Sequence, residues 1–246
     1  MRNLRLEIEY DGTNYCGWQV QNNSRKKSIQ GTIEKSLRKI LREKIRLIVS
    51  GRTDAGVHAL AQVANFRTHS EIASGQLQRA LNGNLPADIR IRKIKEVDPD
   101  FHSRFQAKSK TYRYSILNQP YSPVFLRHTA YLYSYPLDIG LMRKEARILL
   151  GRHDFRSFQA ADKKERSSVR SIKSIRVGKK GQLIYFDMEA DGFLYNMVRN
   201  IAGTLIEIGR GRFPSGYMKK VLSQKDRRLA GQTAPAKGLC LIKVKF

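Results

Sequence analysis

Gly51-Arg52-Thr53-Asp54-Ala55-Gly56-Val57-His58-Ala59 is the stretch on which the reading of this chain turns. It follows Ile45-Arg46-Leu47-Ile48-Val49, an apolar run that reads as a buried strand. The block sets one carboxylate, Asp54, in a turn. Arg52 stands two residues before it, Gly56 two after it and His58 four after it. A strand that ends in a Gly-bounded, charged turn is where folds commonly present reactive groups. Alone, the same block reads better as a polar β-turn whose Asp bonds its own backbone, since Asp-Ala-Gly turns are common. The remainder of the chain has to decide between these readings.

Working outward, strands and helices alternate on both sides. Leu4 to Tyr10 is strand-like and Asp11-Gly12 turns it. Ile29, Ile33, Leu37, Ile40 and Leu41 share one helical face. Val63 to Arg67 is a second strand after the block, Leu77 to Leu85 a short helix stopped by Pro86, and Ile89 to Ile94 a strand with a cationic face. Thr111 to Ile116 alternates again. Residues 138 to 150 form a helix with Leu141, Met142, Ile148 and Leu149 inward. Ile172 to Val177 and Leu183 to Met188 make a hairpin through Lys179-Lys180-Gly181. Leu194, Val198, Ile201, Leu205 and Ile208 give a long amphipathic helix, and Leu239 to Phe246 is a closing strand. The expectation is an α+β protein of two halves, each with several strands and two packed helices. The halves divide between about 98 and 110, written here as residues 1–104, carrying the Asp54 loop, and residues 105–246. Asp162 to Ser168, polar and charged, reads as a mobile surface loop.

The chain has 246 residues, with 47 Lys and Arg against 21 Asp and Glu, a net charge of +26. Self-repulsion on that scale opposes a compact state unless a polyanion is the usual partner. Nucleic acid is the first candidate and an anionic membrane the second. The charge runs along the whole chain, as at Arg25, Lys26, Lys27, Lys163, Lys164 and Arg166, which favours a folded basic surface over a basic tail. No apolar run approaches the roughly 18 residues that span a bilayer. Met1 to Tyr10 alternates like a strand, without the apolar core of a signal peptide. Two cysteines, Cys16 and Cys240, read as buried, reduced thiols. The expectation is a soluble, cytoplasmic protein with no membrane partner.

Few motifs carry chemistry. The five histidines (His58, His69, His102, His128, His153) and two cysteines have no metal-ligand spacing, so no metal is expected. No phosphate loop or nucleophile elbow is present, and Gly209-Arg210-Gly211 reads as a helix C-cap rather than a dinucleotide fingerprint. No cofactor is expected. Asn196, Arg199, Asn200 and Gly203 lie at i, i+3, i+4 and i+7, opposite the apolar stripe of their helix. That face reads as a solvated surface, or as one from which Arg199 reaches a carboxylate. Tyr112 and Tyr114 share one strand face and Arg113 takes the other. A strand Tyr is ordinarily packing, but in a +26 chain an exposed ring can stack on an unstacked base.

Six blocks in order resemble the tRNA pseudouridine synthase A family. They are Tyr10 to Gln19, residues 51 to 59, Phe101-His102-Ser103-Arg104-Phe105 through Lys110-Thr111-Tyr112-Arg113-Tyr114, Gly151 to Phe155, Gly192 to Arg199, and Pro235 to Leu239. The likeness runs nearly end to end, and the 51 to 59 block is highly specific. Ser103 and Cys240 depart from the Ala and the aromatic common there. The resemblance implies the pseudouridine synthase fold, with two RRM-like or ferredoxin-like α+β halves, a joined, mostly antiparallel sheet and a central cleft. It implies isomerisation of uridine to pseudouridine at positions 38, 39 and 40 of the tRNA anticodon stem-loop, by a homodimer. Asp54 would be the catalytic carboxylate, trapping C1′ or deprotonating C2′. Arg199 would pair with it, Arg52 would help extrude the nucleotide, Tyr112 would stack on the uracil and Leu239 would supply an apolar wall. A synthase acting on another RNA, and a non-catalytic RNA-binding protein of tandem RRM-like halves, stay open.

Overall fold

The computed structural model describes residues 1–21, 25–161 and 167–246. The loop expected at 162–168 therefore lies, as to residues 162–166, outside the described residues. The chain forms two compact units, Met1–Lys108 with Leu241–Phe246, and Ser109–Cys240. Each is a layer of helices on a mostly antiparallel sheet, so the protein is α+β.

The first unit holds β1 (Arg2–Tyr10), α1 (Ile29–Leu41), β2 (Ile48–Val49), β3 (His58–Thr68), α2 (Ser74–Asn84) and β4 (Ile89–Val97). β1 pairs antiparallel with both β3 and β4. α1 forms where the apolar periodicity places it. Ser28 caps its N-terminus by accepting from the Gly31 amide at 3.1 Å, an arrangement worth about 1 kcal/mol. Ile29, Ile33 and Leu37 are fully buried. Each contributes roughly 1.5–3 kcal/mol through the area it removes from water.

Two strands differ from expectation. The run 45–49 is a strand only at Ile48–Val49, paired to Asn65 and Ala64, although Ile45 and Leu47 are buried without a ladder. β3 is longer than Val63 to Arg67 and begins inside the 51 to 59 block, at His58. In β4 the register shifts: Lys93 faces Glu7 and Ile91 faces Ile8. That bulge is why two polar residues separate Ile91 from Ile94 while both stay buried.

The second unit holds β5 (Ser109–Leu117), β6 (Tyr131–Leu132), α3 (Ile139–Arg147), β7 (Gly151–Asp154), β8 (Val169–Lys180), β9 (Leu183–Ala190), α4 (Met197–Gly209) and α5 (Tyr217–Gln224). The strand order is β5-β9-β8-β7, with β6 parallel to β5. The hairpin turns at Gly181, whose φ is +57°. Among the described residues three helices, not two, pack here, and α3 is shorter than residues 138 to 150. α5 is held by a charge no periodicity shows. Glu145 of α3 is fully buried and accepts from the Gly216 and Met218 amides at 2.7 and 3.0 Å, at the N-terminal end of α5. β10 (Leu239–Lys245) closes the chain, and from Leu241 on it belongs to the first unit, beside β3.

α4 starts at Met197, not Leu194, because Asn196 has φ +58°, outside helical geometry. Its polar face is not solvated. Asn200 is fully buried, donating to Phe158 O at 2.7 Å and accepting from Thr233 Oγ1 at 2.6 Å. A Cβ on Gly203 would lie 1.8 Å from Gln232 O, so the chain at 231–234 rests directly on the helix backbone. α4 ends as expected, with Gly211 at φ +81° donating to Ile208 O.

Both cysteines are free thiols, half-buried rather than buried. No helix of the described residues is long and apolar enough to cross a membrane.

Candidate active site

In the first unit, residues 50 to 57 form a loop between β2 and β3 whose backbone is held at several points. Asp54 O accepts from Val57 N at 3.2 Å, closing a β-turn in which Gly56 takes φ +76°. A left-handed third residue is what such a turn demands of glycine. The loop leans on the segment after β1. Trp18 N donates to Thr53 O at 3.0 Å, and the Tyr10 hydroxyl meets Thr53 Oγ1 at 2.7 Å. Gln62, fully buried, donates to Gly51 O at 2.8 Å and accepts from Ser50 Oγ at 2.8 Å.

Two glycines allow the contact. A Cβ on Gly12 would stand 2.0 Å from Val57 O; one on Gly17, whose φ is +102°, would stand 2.7 Å from Thr53 O and 3.0 Å from the Asp54 carbonyl carbon. The backbone on both sides of Asp54 is thus wedged against the chain at 12 and 17, where no side chain fits.

Asp54 is half-buried and Arg52 exposed. His58 is buried and does not stand beside Asp54 as a free imidazole. Its Nδ1 accepts from Gly12 N at 3.1 Å and lies equally near Asp11 Oδ1. The fixed direction of the Gly12 amide makes that contact the better defined of the two. His58 is part of the brace.

The other three predicted site residues belong to the second unit. Tyr112, on β5, is almost fully buried and meets Phe193 edge-on, with centroids 5.1 Å apart. It is not the exposed ring the sequence allowed. Arg199, on α4, donates from Nε to Ala234 O at 2.8 Å and from Nη1 to Asn196 Oδ1 at 3.0 Å. Its guanidinium is therefore fixed by the residue before its own helix and by the segment leading to Leu239. That segment is pinned again where Tyr114 Oη donates to Pro235 O at 2.9 Å. A Cβ on Gly238 would lie 2.7 Å from the Tyr114 ring. Burial raises the Tyr114 phenol well above its usual range, and the Arg199 charge pulls the other way. Tyr114, Arg199 and the buried Leu239 are thus drawn together around residues 233–239, and Tyr112 shares the strand face of Tyr114.

Sequence reasoning missed the braces. Gly12, Gly17, Trp18 and Gln62 carried no chemistry of their own, and their role lies in backbone contacts between distant segments. Arg227 was missed too. Burial lowers its pKa, and it donates to Asn200 Oδ1, Thr233 Oγ1 and Gly231 O at 3.0–3.1 Å, tying α4 to the same segment.

The first unit thus presents an acidic turn with a braced backbone, and the second holds a fixed arginine, a buried tyrosine and an apolar residue around one segment. The sequence model described as tRNA pseudouridine synthase matches residues 7–106 and 146–246. Full-length relatives agree. The chain is 46% identical over 246 residues to the tRNA pseudouridine synthase A of Acetivibrio thermocellus, covering 100% of both. It is 44% identical over 246 residues to that of Thermoanaerobacter sp. strain X514, again covering 100% of both. It is 45% identical over 243 residues to that of Moorella thermoacetica, covering 99% of each. The chain belongs to the tRNA pseudouridine synthase A family, a family of isomerases.

Proposed function

We propose that this protein isomerises uridine to pseudouridine in tRNA, at positions 38, 39 and 40 of the anticodon stem-loop, with Asp54 as the catalytic carboxylate. The observation that carries the proposal is the wedged turn: Gly12, Gly17, Tyr10 and Trp18 all fix the backbone that presents Asp54. A catalytic group must be held to within a fraction of an ångström.

The reaction breaks the N-glycosidic bond and forms a carbon–carbon bond at the same sugar carbon. Asp54, ionised, either attacks C1′ or removes a proton from C2′. The detached uracil turns and bonds to C1′ through C5 as Asp54 leaves C1′, or as it returns the proton to C2′; the C5 proton is then lost and N1 carries one. Glycoside hydrolysis needs a second carboxylate to activate water. Here the base itself returns, so one carboxylate suffices and water has to be kept out. Arg199 is the cation that holds Asp54 ionised, since a nearby positive charge lowers a carboxylate pKa; its fixed guanidinium suits that role. Tyr112 packs on the uracil, Leu239 walls the base, and Arg52, exposed beside the turn, helps extrude the nucleotide. The protein works in the cytoplasm as a homodimer. The exposed apolar residues Tyr121, Val124, Phe125 and Tyr135 support a protein–protein surface on the second unit.

The test is release of label from uracil C5 of unmodified tRNA, with mapping of the modified positions. Wild type should turn over, and Asp54→Asn should bind tRNA yet release nothing. Label release by Asp54→Asn would remove Asp54 from the mechanism. A folded wild type that binds tRNA in silence would leave an RNA-binding protein.

A further inference from the structure

The first unit carries a trough of about 1390 Å³ whose walls do not include the Asp54 turn. Small-molecule pockets run to roughly 300–1,000 Å³, so it exceeds what a single metabolite fills. Its cations come from two segments. Arg25, Lys26 and Lys27 precede α1, while Lys35, Arg38, Lys39 and Arg42 line α1 and its C-cap. The four on the helix fall at i, i+3, i+4 and i+7 and are all exposed, so like charges face one another along one stripe.

The acids that could neutralise them are committed elsewhere. Glu34 accepts from Gln30 and from the Leu47 amide, at 2.8 and 2.9 Å. Glu43 accepts from Thr68 Oγ1 at 2.9 Å. Asp88, which lies in the trough wall, accepts from the Tyr15 hydroxyl at 2.6 Å. Among the described residues, no carboxylate lies within ion-pair distance of Lys35, Arg38, Lys39 or Arg42. The helix dipole favours Arg38 and Lys39 in the last turn of α1. It does not call for Lys35, nor for three cations from another segment.

The trough offers charge without a stacking platform, since Tyr15 in its wall is itself buried. Phosphates are read by such a surface and bases are not. It also adjoins the Asp54 turn through a short piece of chain. Asn14 lines the trough, and Gly17, three residues on, is packed on the backbone of Thr53 and Asp54. Three residues of extended chain reach at most about 11 Å.

We propose that this trough seats the sugar-phosphate backbone of the RNA substrate close to the nucleotide under reaction. The proposal rests on the reading of the protein as a tRNA-modifying enzyme and adds where the RNA lies on the first unit. The test is binding of unmodified tRNA by the full chain across a series of KCl concentrations. One triple variant is Lys35→Ala/Arg38→Ala/Lys39→Ala. A second, Lys179→Ala/Lys180→Ala/Lys219→Ala, removes the same charge from exposed sites on the second unit. Alanine is the best helix former, so the trough variant should keep α1.

Neutralised phosphate contacts contribute roughly 0.7–0.9 each to the slope of log affinity against log salt. The trough variant should therefore lose about 2–3 from that slope and raise KM for tRNA, while the second variant keeps both near wild type. Equal slopes for the two variants, or a wild-type slope for the trough variant, would overturn the proposal. The enzymatic reading is judged separately, by label release from wild type alone. An inactive wild type whose affinity still depends on the trough would remove the reaction and keep the site.

Discussion

Gly12→Ala tests whether the wedge, rather than the acid alone, makes the Asp54 loop work. A Cβ at Gly12 would stand 2.0 Å from Val57 O, and real Cβ contacts essentially never fall below 3.0 Å, so the two backbones must part by at least 1.0 Å. Val57 is the fourth residue of the turn that Asp54 opens, joined to it by the 3.2 Å hydrogen bond from Val57 N to Asp54 O. The displacement therefore reaches Asp54 with little to absorb it. A misplacement of about 1 Å costs on the order of 10²-fold in rate, or about 2.7 kcal/mol of transition-state stabilisation. Overpacking adds about 1–3 kcal/mol of destabilisation, which a domain with roughly 5–15 kcal/mol in hand survives at 25 °C. The assay is kcat/KM for label release from tRNA, beside a thermal melt. Gly83→Ala is the control, because its Cβ would meet nothing within 4 Å and lies within a helix. The control should turn over like wild type. A Gly12→Ala enzyme within twofold of wild type, with an unchanged melt, would refute the reasoning, since the loop would then have to move freely.

Tyr10→Phe removes the hydroxyl that meets Thr53 Oγ1 and leaves a buried polar group unsatisfied. The expected loss is about 1–3 kcal/mol, seen as a lower Tm at roughly 2–4 °C per kcal/mol. Glu145→Ala strips the Gly216 and Met218 amides of their acceptor. It should cost about 1.5–3 kcal/mol per charged hydrogen bond and speed hydrogen exchange at Met218 in particular. Asp154 gives the pH test. Burial acts to raise its pKa, but the Ser168 hydroxyl, the Arg156 amide and the charges of Arg156 and Lys225 outweigh it and hold the carboxyl below its ordinary value. Its stabilising contribution is complete above about pH 4 and is lost as pH falls from there through the folded pKa. Urea unfolding between pH 5 and pH 2 should accordingly fall less steeply for Asp154→Asn than for wild type.

How far the sequence can be read depends on the range of the interaction. α1 matches its expected span because its apolar stripe is a local signal. The hairpin at Gly181 and the C-cap at Gly211 were legible for the same reason, as each is set by one glycine's φ. The start of α4 was not, because Asn196 adopts φ +58° under tertiary constraint and nothing in its neighbours marks it. Buried Glu145 was invisible because its partners are backbone amides 71 and 73 residues on. Ser103, a departure within a family block, has a plain role: its amide and hydroxyl both reach Asn65 Oδ1, at 3.0 and 2.6 Å.

The same distinction governs the candidate site. Asp54 stands out in one dimension as a charged residue between glycines, although only the family blocks give it a role. What holds it does not, because a glycine that admits a distant carbonyl looks the same as one that turns a loop. Gly12 and Gly203 do the former in the two units, each accepting a backbone carbonyl where its Cβ would stand, from Val57 and from Gln232. In the first unit the carbonyl belongs to the turn that bears Asp54. In the second it belongs to the segment whose Ala234 carbonyl fixes Arg199. An isomerase that moves one base about one sugar carbon needs its few groups fixed in position more than it needs many of them. Backbone-on-backbone contact fixes a loop with no side-chain rotamer left to vary. On that argument, filling Gly203 should injure the reaction through Arg199, as filling Gly12 should through Asp54.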